Sequence, residues 1–149
     1  MNAKGRNQRK PKAKQIPSHK NIRKSVDPSD FFKKEASWAV RRLDRNGQWG
    51  WDSVSLGEFY QAIHPKLRDF ESMTWQEIIS GGSHNIEVYK LITDAQKRLE
   101  VLNLNDLEEL FSLRLEGVKR IWGILERGIL HIIWYDPKHE VYVVPKRYT

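Results

Sequence analysis

Apolar residues in this chain follow two periods, and the switch between them divides it. From Leu56 to Leu102 they recur every three or four positions. Leu56, Phe59, Tyr60 and Ile63 form one set, Leu67, Phe70, Trp75, Ile78 and Ile79 a second, and Leu91, Ile92, Ala95, Leu99 and Leu102 a third. This is the spacing of helices with one buried stripe. Each set has a capping box nearby, a hydroxyl with Glu or Gln three residues on, which satisfies free N–H groups of a first turn: Ser55 with Glu58, Thr74 with Glu77, Thr93 with Gln96. His64-Pro65 is expected to stop the first helix, and Gly81-Gly82 ends the second segment. A short turn of helix is expected over Asp106 to Leu110.

From Leu110 the period shortens to two. Phe111, Leu113 and Leu115 alternate with Ser112, Arg114 and Glu116, the pattern of a half-buried strand. Gly117-Val118-Lys119 turns the chain into a strand over Arg120 to Leu125. Glu126-Arg127-Gly128 turns it into Ile129 to Tyr135, and Asp136-Pro137-Lys138 precedes a last strand from His139 to Val144. Short turns make such strands antiparallel neighbours, so the expected architecture is α+β: a four-stranded antiparallel meander over 110–144 with helices on one face. Trp122 and Trp134 are expected to be at least partly buried in it. Upstream, Ser37 to Leu43 reads as a strand and Asp44-Arg45-Asn46-Gly47 as a turn. Trp49 and Trp51 are more simply packing anchors than a base-stacking platform.

Composition adds an asymmetry. The chain has 149 residues, enough for one ordinary domain, and a formal charge of +7. Residues 1–24 hold nine of the 26 Lys and Arg and no acid, which leaves 17 basic residues against 19 acidic ones elsewhere. The basicity therefore belongs to an arm, residues 1–30, that contains Pro11, Pro17 and Pro28 and almost nothing apolar. Such a segment is expected to be disordered, ahead of a single α+β domain over 31–149 that is helical over 55–110. Lys4, Arg6, Arg9, Lys10, Lys12 and Lys14 suit phosphate neutralisation, with Arg147 at the other end; a solubilising tail is the plainer reading. No stretch approaches the roughly 20 apolar residues of a membrane span. The start, MNAKGRNQRKPKAK, has no apolar run after its basic residues, so no secretory signal is expected. Without cysteine there is no disulfide framework and no thiolate nucleophile, and a cytoplasmic location is expected.

The chain has no Walker loop, no HExxH and no GxSxG, and His64, His84, His131 and His139 are scattered, so no metal or cofactor is expected. What remains suits metal-free RNA cleavage. That reaction needs a base for the ribose 2′-hydroxyl, cations for the phosphorane and an acid for the departing 5′ oxygen. Arg114, Arg120, His139 and Tyr142 offer those groups, with Arg147 and Tyr148 close behind.

LFSLRLEGVKRIWGI (110–124) and ILHIIWYDPKHEVY (129–142) resemble the end of the RelE-type toxins. In that family an Arg on one strand, a Gly-centred turn and an Arg on the next strand precede a final strand closing on Val-Tyr. Arg114, Gly117 and Arg120 match the first part here, and His139-Glu140-Val141-Tyr142 the second. The resemblance implies a RelE-like fold and an endoribonuclease that cuts mRNA, often on the ribosome, and is neutralised by an antitoxin protein. Arg114 and Arg120 would then bind the scissile phosphate, and His139 or Tyr142 would handle protons. The chain is longer than the usual member, residues 1–80 align poorly, and 136–142 is less basic than in many relatives. Some proteins with this fold act on DNA gyrase instead, so the fold alone leaves the activity open.

Plainer readings stand beside these. Arg114 fits a solvated strand face, Arg120 fits an Arg stacked on Trp122, and Tyr142 fits a cover over the core. Strict alternation would place His139 and Tyr142 on opposite faces. His131 reads as a satisfied core histidine, and His84, after Gly81-Gly82-Ser83, as a loop candidate for acid or base. A non-catalytic RNA or ribosome binder, or a protein-interaction module, remains an alternative.

Overall fold

A computed structural model describes residues 28–145. The expected disordered arm, with Lys4, Arg6, Arg9, Lys10, Lys12 and Lys14, and the C-terminal Arg147 lie outside the described residues, apart from a 3-10 turn over Pro28–Lys33 at the arm's end. The class is α+β, built on one five-stranded mixed sheet. Its strands are β1 (Ser37–Ala39), β2 (His84–Glu87), β3 (Glu109–Arg114), β4 (Arg120–Glu126) and β5 (Ile129–Asp136). They lie in the order β1-β5-β4-β3-β2, with β1 parallel to β5 and every other pair antiparallel.

The alternating region therefore yields three of its four expected strands. The fourth, His139 to Val144, does not form: Asp136 closes β5 and turns its carboxylate back onto the chain that follows. Its two oxygens accept from Glu140 N (2.9 Å), Val141 N (3.0 Å) and Trp122 Nε1 (3.2 Å). His139 adopts φ 58°, a left-handed conformation that no strand carries. Backbone N–H groups held by a side chain cannot join a ladder. Val141 is instead a buried plug, and its carbonyl accepts from Ile92 N at 3.0 Å. The place beside β5 that a fourth meander strand would fill is taken by β1, and the other side of β3 by β2, a segment whose sequence reads as a loop.

The helices also depart from expectation in one respect. The first, α1, runs through Pro65 as three continuous stretches, Leu56–Glu58, a π-helical Phe59–Ile63 and His64–Phe70. Proline has no N–H for the usual i→i−4 bond, and the chain widens just before it, so that His64 N donates to Phe59 O. Ser55 caps α1 by accepting from Glu58 N at 3.1 Å. Helix α2 (Trp75–Ser80) has the full capping box of Thr74 and Glu77. Helix α3 (Thr93–Val101) starts on Ile92 without a side-chain cap, because Gln96 Nε2 reaches the carbonyls of Leu91 (2.8 Å) and Tyr89 (3.2 Å). Asp106 to Leu110 forms a turn that leads into β3 and no helix.

Helices cover both faces of the sheet, where one was expected. On one face α1 and α2 bring Ile63, Trp75 and Ile78 onto Phe111, Leu113, Ile121 and Tyr135. On the other, Leu91, Ala95 and Leu99 of α3 and its approach join Trp49 and Val141 over Leu110, Trp122 and Trp134. Trp122 and Trp134 are fully buried, as their alternation predicts. Trp49 packs on Trp134 (5.3 Å between ring centres) and Trp51 on Tyr135 (5.9 Å), so both indoles are packing anchors. Between Trp122 and Gly123 the β4–β5 register shifts, and a Cβ at position 123 would lie 2.3 Å from the His131 carbonyl oxygen. Glycine is required there. His131 is half-buried, but its Nδ1 is buried without a partner, so it is not the fully satisfied core residue expected.

Candidate functional site

The residues proposed for chemistry divide between one end of the sheet and the loop beyond it. Arg114 and Arg120 end β3 and start β4, and they are direct cross-strand partners. Directly opposite residues of an antiparallel pair project from the same face about 5 Å apart at Cβ, so two guanidinium stems rise side by side. Arg120 continues the row to Asp136 on β5. This face is also the one carrying Trp122 and Ser112, two residues further along each strand.

The row holds two cations and one carboxylate, and the carboxylate is already engaged. Asp136 is fully buried and accepts from Trp122 and from the two loop N–H groups. Neither Arg114 nor Arg120 forms an ion pair among the described residues. Arg120 is half-buried, and its Nη1 donates to the carbonyls of Gly117 (2.8 Å) and Lys119 (2.9 Å), which fix the guanidinium to its own turn. Burial, and then the charge of Arg114, push its proton affinity down, with Asp136 partly opposing them. Two like charges held together, one of them partly desolvated, favour an anion between them. Arg114 is exposed and lies across Gly82, where a Cβ would come within 3.2 Å of its Nη1.

Tyr142 belongs with this face. It is half-buried against the cluster around Trp122 and lines a shallow cleft of about 210 Å³ with His84, Asn85, Ile86, Glu87, Lys90 and Glu109. His84 is exposed on β2, paired with Ser112 of β3, and its Nδ1 lies 3.0 Å from the Gly82 carbonyl. His84 is thus a strand residue, not part of a mobile loop. His139 is absent from the cleft lining: it sits in the left-handed turn between Asp136 and Val141. Three of the four expected residues, Arg114, Arg120 and Tyr142, therefore share one side of the sheet, and the nearby histidine is His84.

Two polar networks hold the surroundings. Asp44, almost fully buried, receives Arg98 through Nε (2.8 Å) and Nη2 (2.7 Å), Trp134 Nε1 (2.9 Å) and Gly47 N (3.2 Å). Burial pushes its carboxyl up, but the hydrogen bonds from Arg98 and Trp134 outweigh that and hold it below the usual range. On the opposite face Glu58 accepts from Lys119 Nζ and Tyr135 OH. Those bonds, Lys119 first, lower the Glu58 carboxyl, while burial and then Glu58 raise the Tyr135 phenol well above its usual range. Neither network was legible in the sequence, because the partners are 54 and 61 residues apart and share no motif.

A larger cleft of about 440 Å³ adjoins the first and is lined by Glu87, Val88, Tyr89, Gln96, Leu107, Glu108 and Glu109. Its three carboxylates and lack of any lining cation suit it poorly to phosphate. Among the described residues no group of three His, Cys, Asp or Glu is placed to hold a metal ion, and no helix is long and apolar enough to cross a membrane. No protein-family model, curated protein or solved structure matches the chain.

Proposed function

We propose that the chain is a metal-independent endoribonuclease of the RelE type, a toxin that cleaves mRNA in the cytoplasm, with the ribosome and an antitoxin as partners. The observation that carries this reading is the cross-strand pairing of Arg114 with Arg120, two adjacent guanidiniums of which neither forms an ion pair among the described residues. Arg forks match phosphate oxygens, and a phosphorane carries more negative charge than the diester it forms from. Arg120 is the better placed for the transition state, because its own turn holds it before substrate arrives. Tyr142 borders the same face and supplies a proton donor. The RelE-like reading of the fold rests on α1 and α2 preceding the three-strand meander.

A second reading, RNA binding without cleavage, draws on the position of His139 outside the cleft, which leaves the expected acid–base pair incomplete. Induced expression followed by mapping of mRNA 5′ ends separates the two. The toxin reading predicts growth arrest and new 5′ ends with the wild type, and neither with Arg120→Ala. A wild type that binds RNA and leaves growth and messages intact would move the chain to the binding class.

A further inference from the structure

We propose that His84 is the base that takes the 2′-hydroxyl proton, and that His139 has no part in the chemistry. The assignment rests on the reading of the chain as a ribonuclease. A carbonyl oxygen only accepts, so the 3.0 Å contact between the His84 ring and the Gly82 carbonyl places the imidazole proton on Nδ1. In the neutral ring Nε2 then carries the lone pair, which is the atom a base requires. The ring stands on β2, a strand paired over four residues with β3, so its position is set by the sheet.

Gly82 links this base to the phosphate-binding row. With φ 108° it turns the chain into β2, its carbonyl holds the His84 ring, and a Cβ on it would come within 3.2 Å of Arg114 Nη1. In RNA the attacking 2′ oxygen and the scissile 3′ phosphate belong to one ribose, so base and cation must be neighbours. His84 and Arg114 meet at Gly82, whereas His139 sits in the left-handed turn beyond β5. The charged and titratable groups that line the cleft with His84 are Glu87 from its own strand, Lys90 from the turn after it, Glu109 from β3 and Tyr142 from the C-terminal segment, while Arg114 lies beside Gly82.

The step balances without a co-reactant. The 2′ proton passes to His84 Nε2, the O2′–P bond forms, and the P–O5′ bond breaks with its electron pair going to O5′. That oxygen takes a proton from the Tyr142 hydroxyl, and solvent returns both side chains to their starting states. The products are a 2′,3′-cyclic phosphate and a 5′-hydroxyl end.

Asparagine reproduces the Nδ1–H donor but has nothing at the Nε2 position, so His84→Asn keeps the bond to Gly82 and removes the base. The full chain and its variants are added to a translating cell-free extract, and the rate of message cleavage is followed. His84→Asn should cut at least about 10²-fold more slowly with its melting temperature and RNA affinity unchanged. His84→Ala should regain activity as imidazole is added, which a structural role would not produce. His139→Asn, a residue tolerant of the left-handed turn, should stay within about threefold of wild type. If wild type cuts and His84→Asn cuts equally fast, the assignment is overturned and the ribonuclease reading stands. If wild type binds RNA but never cuts it, both fall.

Discussion

Replacing Asp44 with Ala removes the acceptor on which four donors converge, and the structure indicates what that loss costs. Asp44 is 1% exposed and its partner Arg98 25% exposed at the side chain. The carboxylate joins the segment before Trp49 to α3 through Arg98 and to β5 through Trp134. After the substitution Arg98 can swing toward water, but Trp134 Nε1 is fully buried and loses its partner. Breaking a buried ion pair costs about 3–5 kcal/mol, and an orphaned buried donor about 1–3. Because Arg98 is partly wet, the lower part of the first range applies, and a loss of about 3 kcal/mol is expected. For a domain of this size that lowers the melting temperature by roughly 10 °C.

The pH dependence has a definite sign. The Asp44 carboxyl is depressed in the folded protein, so the unfolded chain binds its proton more readily. Its stabilisation is therefore complete above the unfolded carboxyl value, about 3.9, and is lost as pH falls through the lower folded one. The gap in melting temperature between wild type and Asp44→Ala should be constant near neutrality and narrow in acid. Calorimetry or circular dichroism from pH 7 downward measures it. Arg98→Met supplies the cycle, since Asp44→Ala should cost far less in that background. A neutral-pH loss under about 3 °C, or equal losses in both backgrounds, would refute the view of this pair as a tether.

Other outcomes follow from the same contacts. Gly123→Ala forces a Cβ against the His131 carbonyl and should destabilise by about 2 kcal/mol or more in a denaturant titration. A chain beginning at Ser29 should bind generic RNA more weakly and with a shallower dependence on salt, because nine cations are removed; filter binding across salt concentrations checks it. Tyr142→Phe should slow message cleavage by about 10²-fold or more, because it removes the acid for the departing 5′ oxygen. Cleavage of a ribosome-free RNA by the purified full chain should proceed equally with and without EDTA, given the donor set among the described residues.

Much of this fold was legible where one physical rule acted alone. Alternation over Leu110 to Tyr135 fixed β3 to β5 and put Trp122 and Trp134 inside, and the Ser55 and Thr74 caps located α1 and α2. The misreadings lie where tertiary contacts overrule local pattern. His139 to Val144 alternates like a strand, but Asp136 captures the N–H groups that a ladder would need. Pro65 should end a helix, but a π turn accommodates it. β2 has four residues and gains its identity from β3, so no local signal beyond the Ile86 position marks it. The candidate site followed the same division. Arg114 and Arg120 could be paired from strand and turn lengths, whereas the position of His84 near that pair depends on β2 lying beside β3.

The proposed role of the Arg114–Arg120 pair is to stabilise the charge that develops during RNA cleavage. Its most direct test is single-turnover cleavage of one defined message by purified full chain with ribosomes present, wild type against Arg120→Ala. Both proteins are first shown to melt alike, since Arg120 also bonds its own turn. The expected result is a rate lower by about 10²-fold or more with only a modest change in RNA affinity, the signature of a donor aimed at the transition state. Equal rates for the two proteins, or a wild type that leaves the message whole, would contradict it.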